Sequence, residues 1–143
     1  MLLKRCLMST ALLAFCAIAS AQPDLSGTWN IQRAENGHPP RGARTLPQTM
    51  VIQQGNGRME IRAVDGGGNA VLYACAIGGS CTAGNDQRRS WSGQWDGAEF
   101  VLAVLLSGTT PTTLYRLYLS PDKKALLLRQ QDNPQAIAFP YVK

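Results

Sequence analysis

The sequence is poor in the side chains that metal and catalytic sites use. It contains one histidine, His38, and four cysteines among 143 residues. A structural zinc site needs about four ligands, mostly cysteine or histidine, so the composition argues against zinc. His38 lies in the Pro- and Gly-rich segment 35–47 without a nucleophile or an orienting partner, which favours a solvated loop side chain over a general base. We therefore predict no enzyme activity, no metal and no cofactor.

Motifs for other chemistry are also missing. The Gly-rich segment 65–69 lacks the Lys-Ser/Thr pair and the helix of a phosphate-binding loop. Asp96 and Glu99 bracket a predicted turn, and a turn aspartate beside a strand-edge glutamate explains them more simply than a catalytic carboxylate pair. The basic residues are scattered rather than clustered in a stripe, so we predict no nucleic-acid partner. No apolar run reaches the roughly 20 residues of a membrane-spanning helix.

The first 21 residues have the pattern of an export signal. Two basic residues at 4–5 precede an apolar run over 6–18, and small residues at 19–21 fit the positions that signal peptidase requires. We predict cleavage after Ala21 by the export machinery. Residues 22–143 would then form the mature chain, in the periplasm or outside the cell.

Export leaves two cysteines, Cys75 and Cys81, in an oxidising compartment. The segment between them is rich in small turn formers, which favours a disulfide across a tight hairpin or loop. A redox pair would more typically have the C-x-x-C spacing. Closing so short a loop should contribute about 2 kcal/mol in the chain-entropy model. A lipoprotein would use Cys16 as its lipid acceptor, but Phe15 stands where a small residue is needed.

Short apolar stretches alternate with turn signals along the rest of the chain. In residues 27–34, Trp29 and Ile31 face one side and polar residues face the other, which is the period of a strand. Asp-Gly and Gly-Gly sequences separate later stretches, as in hairpins. We predict about nine strands from this pattern. They cover 27–34, 48–54, 58–64, 70–76, 88–95, 99–106, 113–120, 125–131 and 136–142.

Such a meander must hide its edge strands, and closure into a barrel does so completely. We therefore predict an all-β fold in which residues 22–143 form one domain, a small antiparallel barrel of about 8–10 strands. A barrel of about eight strands surrounds an interior that side chains can fill or that can hold one small ligand.

Gly27-Thr28-Trp29, at the start of the first strand, resembles the Gly-x-Trp signature of lipocalins and related barrels. In those folds the tryptophan seals one end of the barrel, and a basic side chain from a late strand packs on its ring. The resemblance implies a barrel-closing role for Gly27 and Trp29. It also implies a cation–π contact from Arg129, or from Arg116 as the second candidate.

More of the chain is similar to a group of small exported bacterial lipocalin-like proteins. The matching stretches are 23–29, 95–97, 117–128 and 141–143. The resemblance implies an exported binding module for a small apolar or amphipathic ligand. Trp91 and Trp95 share one face of their strand and are the candidate ligand-lining residues.

The alternative is a periplasmic protease-inhibitor-like barrel that acts on an exported protein. Small bacterial metalloprotease inhibitors also open with Leu-Ser-Gly-x-Trp and carry one disulfide. Their N-terminal arm should be longer than residues 22–24, however, and their cysteine spacing wider. An open lumen would favour ligand binding, whereas a filled lumen with a protruding arm would favour the inhibitor.

Overall fold

The computed structural model describes residues 22–86, 89–105, 110, 112–130 and 137–143. The predicted export signal, residues 1–21 with Cys16, lies outside the described residues. Within the described residues, ten antiparallel strands form one closed barrel in which each strand pairs with its neighbours in the chain and the first pairs with the last. The strands are β1 (Gly27–Ile31), β2 (Thr49–Gly55), β3 (Arg58–Val64), β4 (Ala70–Ala76), β5 (Gly79–Ala83), β6 (Ser90–Asp96), β7 (Glu99–Leu105), β8 (Thr112–Leu119), β9 (Ala125–Gln130) and β10 (Ala138–Val142).

The prediction of an all-β, closed antiparallel barrel is confirmed. The structure has ten strands rather than about nine, because the segment bracketed by the cysteines is itself a hairpin. The chain turns immediately after Ala76, and β5 begins at Gly79. Cys75 and Cys81 lie directly opposite each other in the β4–β5 pair. Their sulfur atoms are 2.08 Å apart, so the predicted disulfide is confirmed.

Apolar side chains fill much of the barrel interior. Successive residues of a strand point to opposite faces, so every second position turns inward. The largest fully buried side chains on the strands come from β1, β2, β3, β7, β8, β9 and β10. They are Trp29, Met50, Ile52, Met59, Ile61, Phe100, Leu102, Leu117, Leu126 and Tyr141.

Trp29 lies at the end of the barrel where β1 begins, which we call the Trp29 end. Its side chain is only 2% exposed, and its Nε1 donates a hydrogen bond of 2.9 Å to the Leu25 carbonyl. The N-terminal segment 23–26 lies flat against this end. Gln54 holds it there, because its Oε1 accepts from Leu25 N and its Nε2 donates to the Pro23 carbonyl.

The cation over the Trp29 ring is Lys143, with Nζ 4.9 Å from the ring centroid, and this corrects the expectation of Arg129 or Arg116. Arg129 follows the inward-facing, fully buried Leu128, so it points outward. There its guanidinium lies 5.6 Å from the Tyr118 ring. Gly27 explains how Lys143 fits: a Cβ at this position would lie 2.9 Å from Lys143 Cε, and φ is 142°.

The opposite end of the barrel is only partly covered. The long connection between β1 and β2 contains a 3-10 turn at Ala43–Thr45. It buries Ala43 and Leu46 completely, and Tyr141 Oη donates a hydrogen bond of 2.6 Å to the Pro47 carbonyl. The remainder of this end carries the candidate site. Among the described residues, no helix is long and apolar enough to cross a membrane.

Candidate functional site

A cavity of about 460 Å³ opens at the end of the barrel opposite Trp29, and we call it the mouth. Strands β4, β5, β6 and β8 supply its floor and walls. The apolar and aromatic part consists of Ala70, Val71, Tyr73, Ala83, Trp91, Leu114 and Tyr115. Asn85, Asp86 and Arg89, from the β5–β6 connection, form a polar rim on one side.

Two features of the strands leave this space open. A small side chain, Ala83, faces the cavity where β5 ends. In β8, Tyr115 pairs with Leu102 and Thr113 with Ala103, so Leu114 is an extra residue. A bulge of this kind bends the strand and redirects side chains, and Leu114 lines the cavity.

A second, smaller cavity of about 130 Å³ adjoins the mouth and shares Val71, Tyr73 and Tyr115 with it. Asp65 and Asn69 line its outer side. The Asp65 carboxylate is already used by its own turn, because Oδ1 accepts from the backbone N–H groups of Gly67 and Asn69, each at 2.9 Å. The same turn lowers the pKa of Asp65, mainly through its hydrogen bonds with Asn69. This side of the mouth is therefore negatively charged, and its carboxylate already accepts hydrogen bonds from its own turn.

Aromatic side chains form the floor of the mouth. Tyr73 packs on Trp91 with ring centroids 5.2 Å apart and planes tilted by 58°. Burial raises the pKa of Tyr73, and it raises the pKa of Tyr115 to about 12. Both phenols therefore stay neutral at physiological pH, where each can donate and accept a hydrogen bond. Trp91 is 7% exposed, and its Nε1 has no hydrogen-bond partner among the described residues.

Arg89 lies over the Trp91 ring, with its guanidinium carbon 5.5 Å from the ring centroid. Its Nε donates a hydrogen bond of 2.6 Å to Asp86 Oδ2. A stacked and anchored guanidinium loses less conformational freedom when it binds a further group than a free one does. The Arg89 side chain is 47% exposed, so it remains open to solvent at the rim.

The residues proposed from the sequence are not all in one place. Trp91 lines the mouth, whereas Trp95 lies nearer the Trp29 end and packs edge-on against Phe100, with centroids 5.5 Å apart. Gly27 and Trp29 lie at the Trp29 end, and Arg129 is outside the barrel.

Asp96 and Glu99 also lie outside the barrel, where their carboxylates each accept a hydrogen bond of 2.9 Å from Arg116 Nη1. Glu99 also accepts from Arg129 Nη2 at 3.2 Å. The two acids thus belong to an ion-pair network on the outer face. His38 is exposed in the β1–β2 connection.

Sequence reasoning missed Tyr73, Tyr115 and Arg89. The two tyrosines were placed on strands, but no sequence signal marked the end of the barrel that they share. Within the described part of the chain, no three His, Cys, Asp or Glu side chains cluster closely enough to hold a metal ion. Among the described residues, the mouth combines apolar and aromatic side chains with two neutral hydroxyls and the cation of Arg89 at its rim.

No family model, no curated protein and no solved structure matches this chain.

Proposed function

We propose that this protein is an exported binding module whose mouth holds one small apolar or amphipathic ligand. The observation that carries the proposal is the cavity of about 460 Å³ with a floor of Tyr73, Trp91 and Tyr115. Small-molecule sites are concave, largely apolar and typically about 300–1,000 Å³ in volume, with a few convergent polar groups. The mouth has a volume in this range, and its lining combines apolar and aromatic side chains with a few polar groups.

Exposed apolar surface at the mouth supports the same proposal. Val71 lines the cavity and is 40% exposed, although it belongs to a strand whose inward residues Tyr73 and Cys75 are buried. A ligand that covered Val71 would remove apolar area from water, at about 25 cal/mol per Å². The packed interior below Tyr73 limits the ligand to the mouth, so a compact molecule or one end of a longer molecule fits best.

Export is supported by the pattern of residues 1–21 and by the disulfide, which is typical of oxidising compartments. Intact-mass measurement of the protein recovered from the periplasm or medium tests this part. We expect the mass of a chain that begins at Gln22. A retained N-terminus, or a lipid on Cys16, would contradict the proposal.

The inhibitor-like alternative has less support. Its mechanism needs an arm that reaches into a protease, but residues 23–26 are hydrogen-bonded across the Trp29 end through Gln54. The filled lower lumen fits an inhibitor as well as a binding module, so it does not separate the two. The open mouth fits the binding module.

A matched pair of substitutions on β4 tests ligand binding. Val71→Tyr adds bulk inside the mouth, whereas Leu72→Tyr adds the same bulk on the outer face, where Leu72 is 45% exposed. In a Trp29→Phe/Trp95→Phe background, Trp91 fluorescence reports on the mouth during titration with octanol. We expect a saturable emission change that Val71→Tyr abolishes and Leu72→Tyr retains. Equal effects of the two substitutions, or no saturable change, would refute ligand binding at the mouth.

A further inference from the structure

Among the described residues, Arg89 is held in place by two contacts, and only its Nε is used in a hydrogen bond. Its Nε binds Asp86 Oδ2 at 2.6 Å, and its guanidinium lies over the Trp91 ring. A guanidinium carries five N–H donors. Within the described part of the chain, the hydrogen bond to Asp86 leaves Nη1 and Nη2 unused, and the side chain is 47% exposed at the rim.

We infer that the mouth selects ligands with a carboxylate head, which the two terminal amino groups of Arg89 bind while the apolar body of the ligand lies against Val71 and Tyr115. This inference rests on the proposed function and specifies its ligand class. Arg89 is then the specificity-determining residue. A planar guanidinium matches the two oxygens of a carboxylate, and such paired, charge-assisted hydrogen bonds are stronger than neutral ones.

The distribution of charge sets the direction in which such a ligand lies. Asp65 carries the negative charge of the adjoining cavity and is engaged by its own turn. An anionic head is therefore repelled from that side and attracted to Arg89. Asp86 is the counter-ion that orients Arg89, and it binds the Nε edge of the guanidinium rather than the Nη1/Nη2 edge.

Other ligand classes fit the mouth less well. A sugar ring would need an open aromatic face, but Trp91 is only 7% exposed and is contacted by both Tyr73 and Arg89. An organic cation would meet Arg89 at the rim and be repelled by it. A neutral apolar molecule would leave Arg89 without a new partner, so nothing would favour it over an acid of the same length.

Three probes with the same apolar chain and different heads test the inference: octanoate, octanol and octylammonium. Binding is followed by calorimetry at low ionic strength, where a half-exposed charge is least screened. We expect octanoate to bind about tenfold more tightly than octanol. This factor is near the lower end of what charge-assisted hydrogen bonds contribute, because Arg89 is partly exposed to solvent. We expect octylammonium to bind more weakly than octanol.

Variants assign the preference to Arg89. Arg89→Gln should lower the affinity for octanoate about tenfold and leave octanol within about twofold. Arg89→Lys keeps the positive charge but loses the planar pair of N–H donors, so it should retain part of the preference for octanoate over octanol. Arg62→Gln is the control, because Arg62 is exposed on the outer face of β3 and its loss changes the net charge equally. It should change neither affinity.

Each other result overturns the inference in a distinct way. If octanoate and octanol bind equally, or if Arg62→Gln acts like Arg89→Gln, the mouth binds apolar chains without a specific carboxylate site, and the proposed function stands alone. Tighter binding of octylammonium than of octanol would mean that an acidic side chain, and not Arg89, binds the head group. If none of the three probes binds, both the inference and the proposed function fail.

Discussion

Gly93 is a position where a single added methyl group should destabilise the barrel. An ideal Cβ on residue 93 would lie 2.7 Å from Phe100 Cζ, 2.9 Å from Cys75 Sγ and 3.0 Å from Cys81 Sγ. Phe100 and Cys75 are fully buried, and the disulfide ties two strands together. The neighbours of Gly93 therefore have little room to move.

The size of the effect follows from these contacts. Non-bonded carbon atoms are best placed about 3.5–4.0 Å apart, so Gly93→Ala forces several atoms outward. Overpacking of a core typically costs about 1–3 kcal/mol. Alanine recovers about 0.5–1 kcal/mol of the backbone entropy that glycine loses on folding. With three close contacts at once, we expect a net loss of about 2 kcal/mol in the free energy of unfolding, measured by urea denaturation.

A second background shows whether the disulfide causes the loss. In the Cys75→Ala/Cys81→Ala protein, the two contacts with the sulfur atoms are absent. Gly93→Ala should therefore cost about 1 kcal/mol less there than in the wild type, and this difference is the coupling energy of a double-mutant cycle. Gly55→Ala is the control, because a Cβ there meets nothing within 4 Å. An equal cost in both cysteine backgrounds, or a cost no greater than that of Gly55→Ala, would refute the reasoning.

Three more predictions concern the ends of the barrel and its crosslink. Trp29→Ala should lower the free energy of unfolding by about 3–5 kcal/mol, whereas Lys143→Gln, which removes only the cation over the ring, should cost about 1 kcal/mol or less. Replacing both cysteines by alanine should cost about 2 kcal/mol and leave the far-ultraviolet circular dichroism spectrum unchanged. In the unfolded chain the pKa of Tyr115 is 10.0, and burial in the folded protein raises this pKa to about 12. Stability should therefore be intact below pH 10 and fall between pH 10 and 12, and Tyr115→Phe should reduce that fall.

These predictions also have clear contrary outcomes. If Trp29→Ala costs no more than an exposed substitution, Trp29 does not seal its end of the barrel. A loss of the β-sheet spectrum without the cysteines would mean that the disulfide determines the fold rather than supporting it. If the free energy of unfolding stays constant up to pH 12, or if Tyr115→Phe leaves its fall unchanged, Tyr115 is not desolvated in the native state.

The barrel was predictable because its strands carry local signals. Alternation around Trp29 and Trp91 and the Gly-containing turns both act over a few residues, so they can be recognised from the sequence alone. Strand β5 was missed for the same reason. Its residues, Gly79–Ala83, contain no large apolar side chain, and the disulfide and register with β4 supply what its own sequence lacks.

The mouth was predictable only in part, because it is created by non-local pairing. Trp91 could be proposed from its size and its inward position. Tyr73 and Tyr115 come from strands that meet only when the barrel closes. Arg89 lies in the connection before β6, whereas the sequence predicts a strand over 88–95. The misplaced cation has a similar origin. Arg129 was chosen for its late strand, but whether its side chain points inward depends on the exact register.

The seam between β1 and β10 has a consequence for how the chain folds. Only two residue pairs, Asn30 with Val142 and Ile31 with Tyr141, join these strands, and the hydrogen bond from Tyr141 to Pro47 reinforces the junction. All the other strand pairs join neighbours in the chain, so they can form progressively as hairpins. The seam must bring together residues from opposite ends of the chain, and the loop-closure entropy of that step is large. Folding should therefore be limited by this final closure, because the loop-closure entropy is lost before the contacts of the seam form.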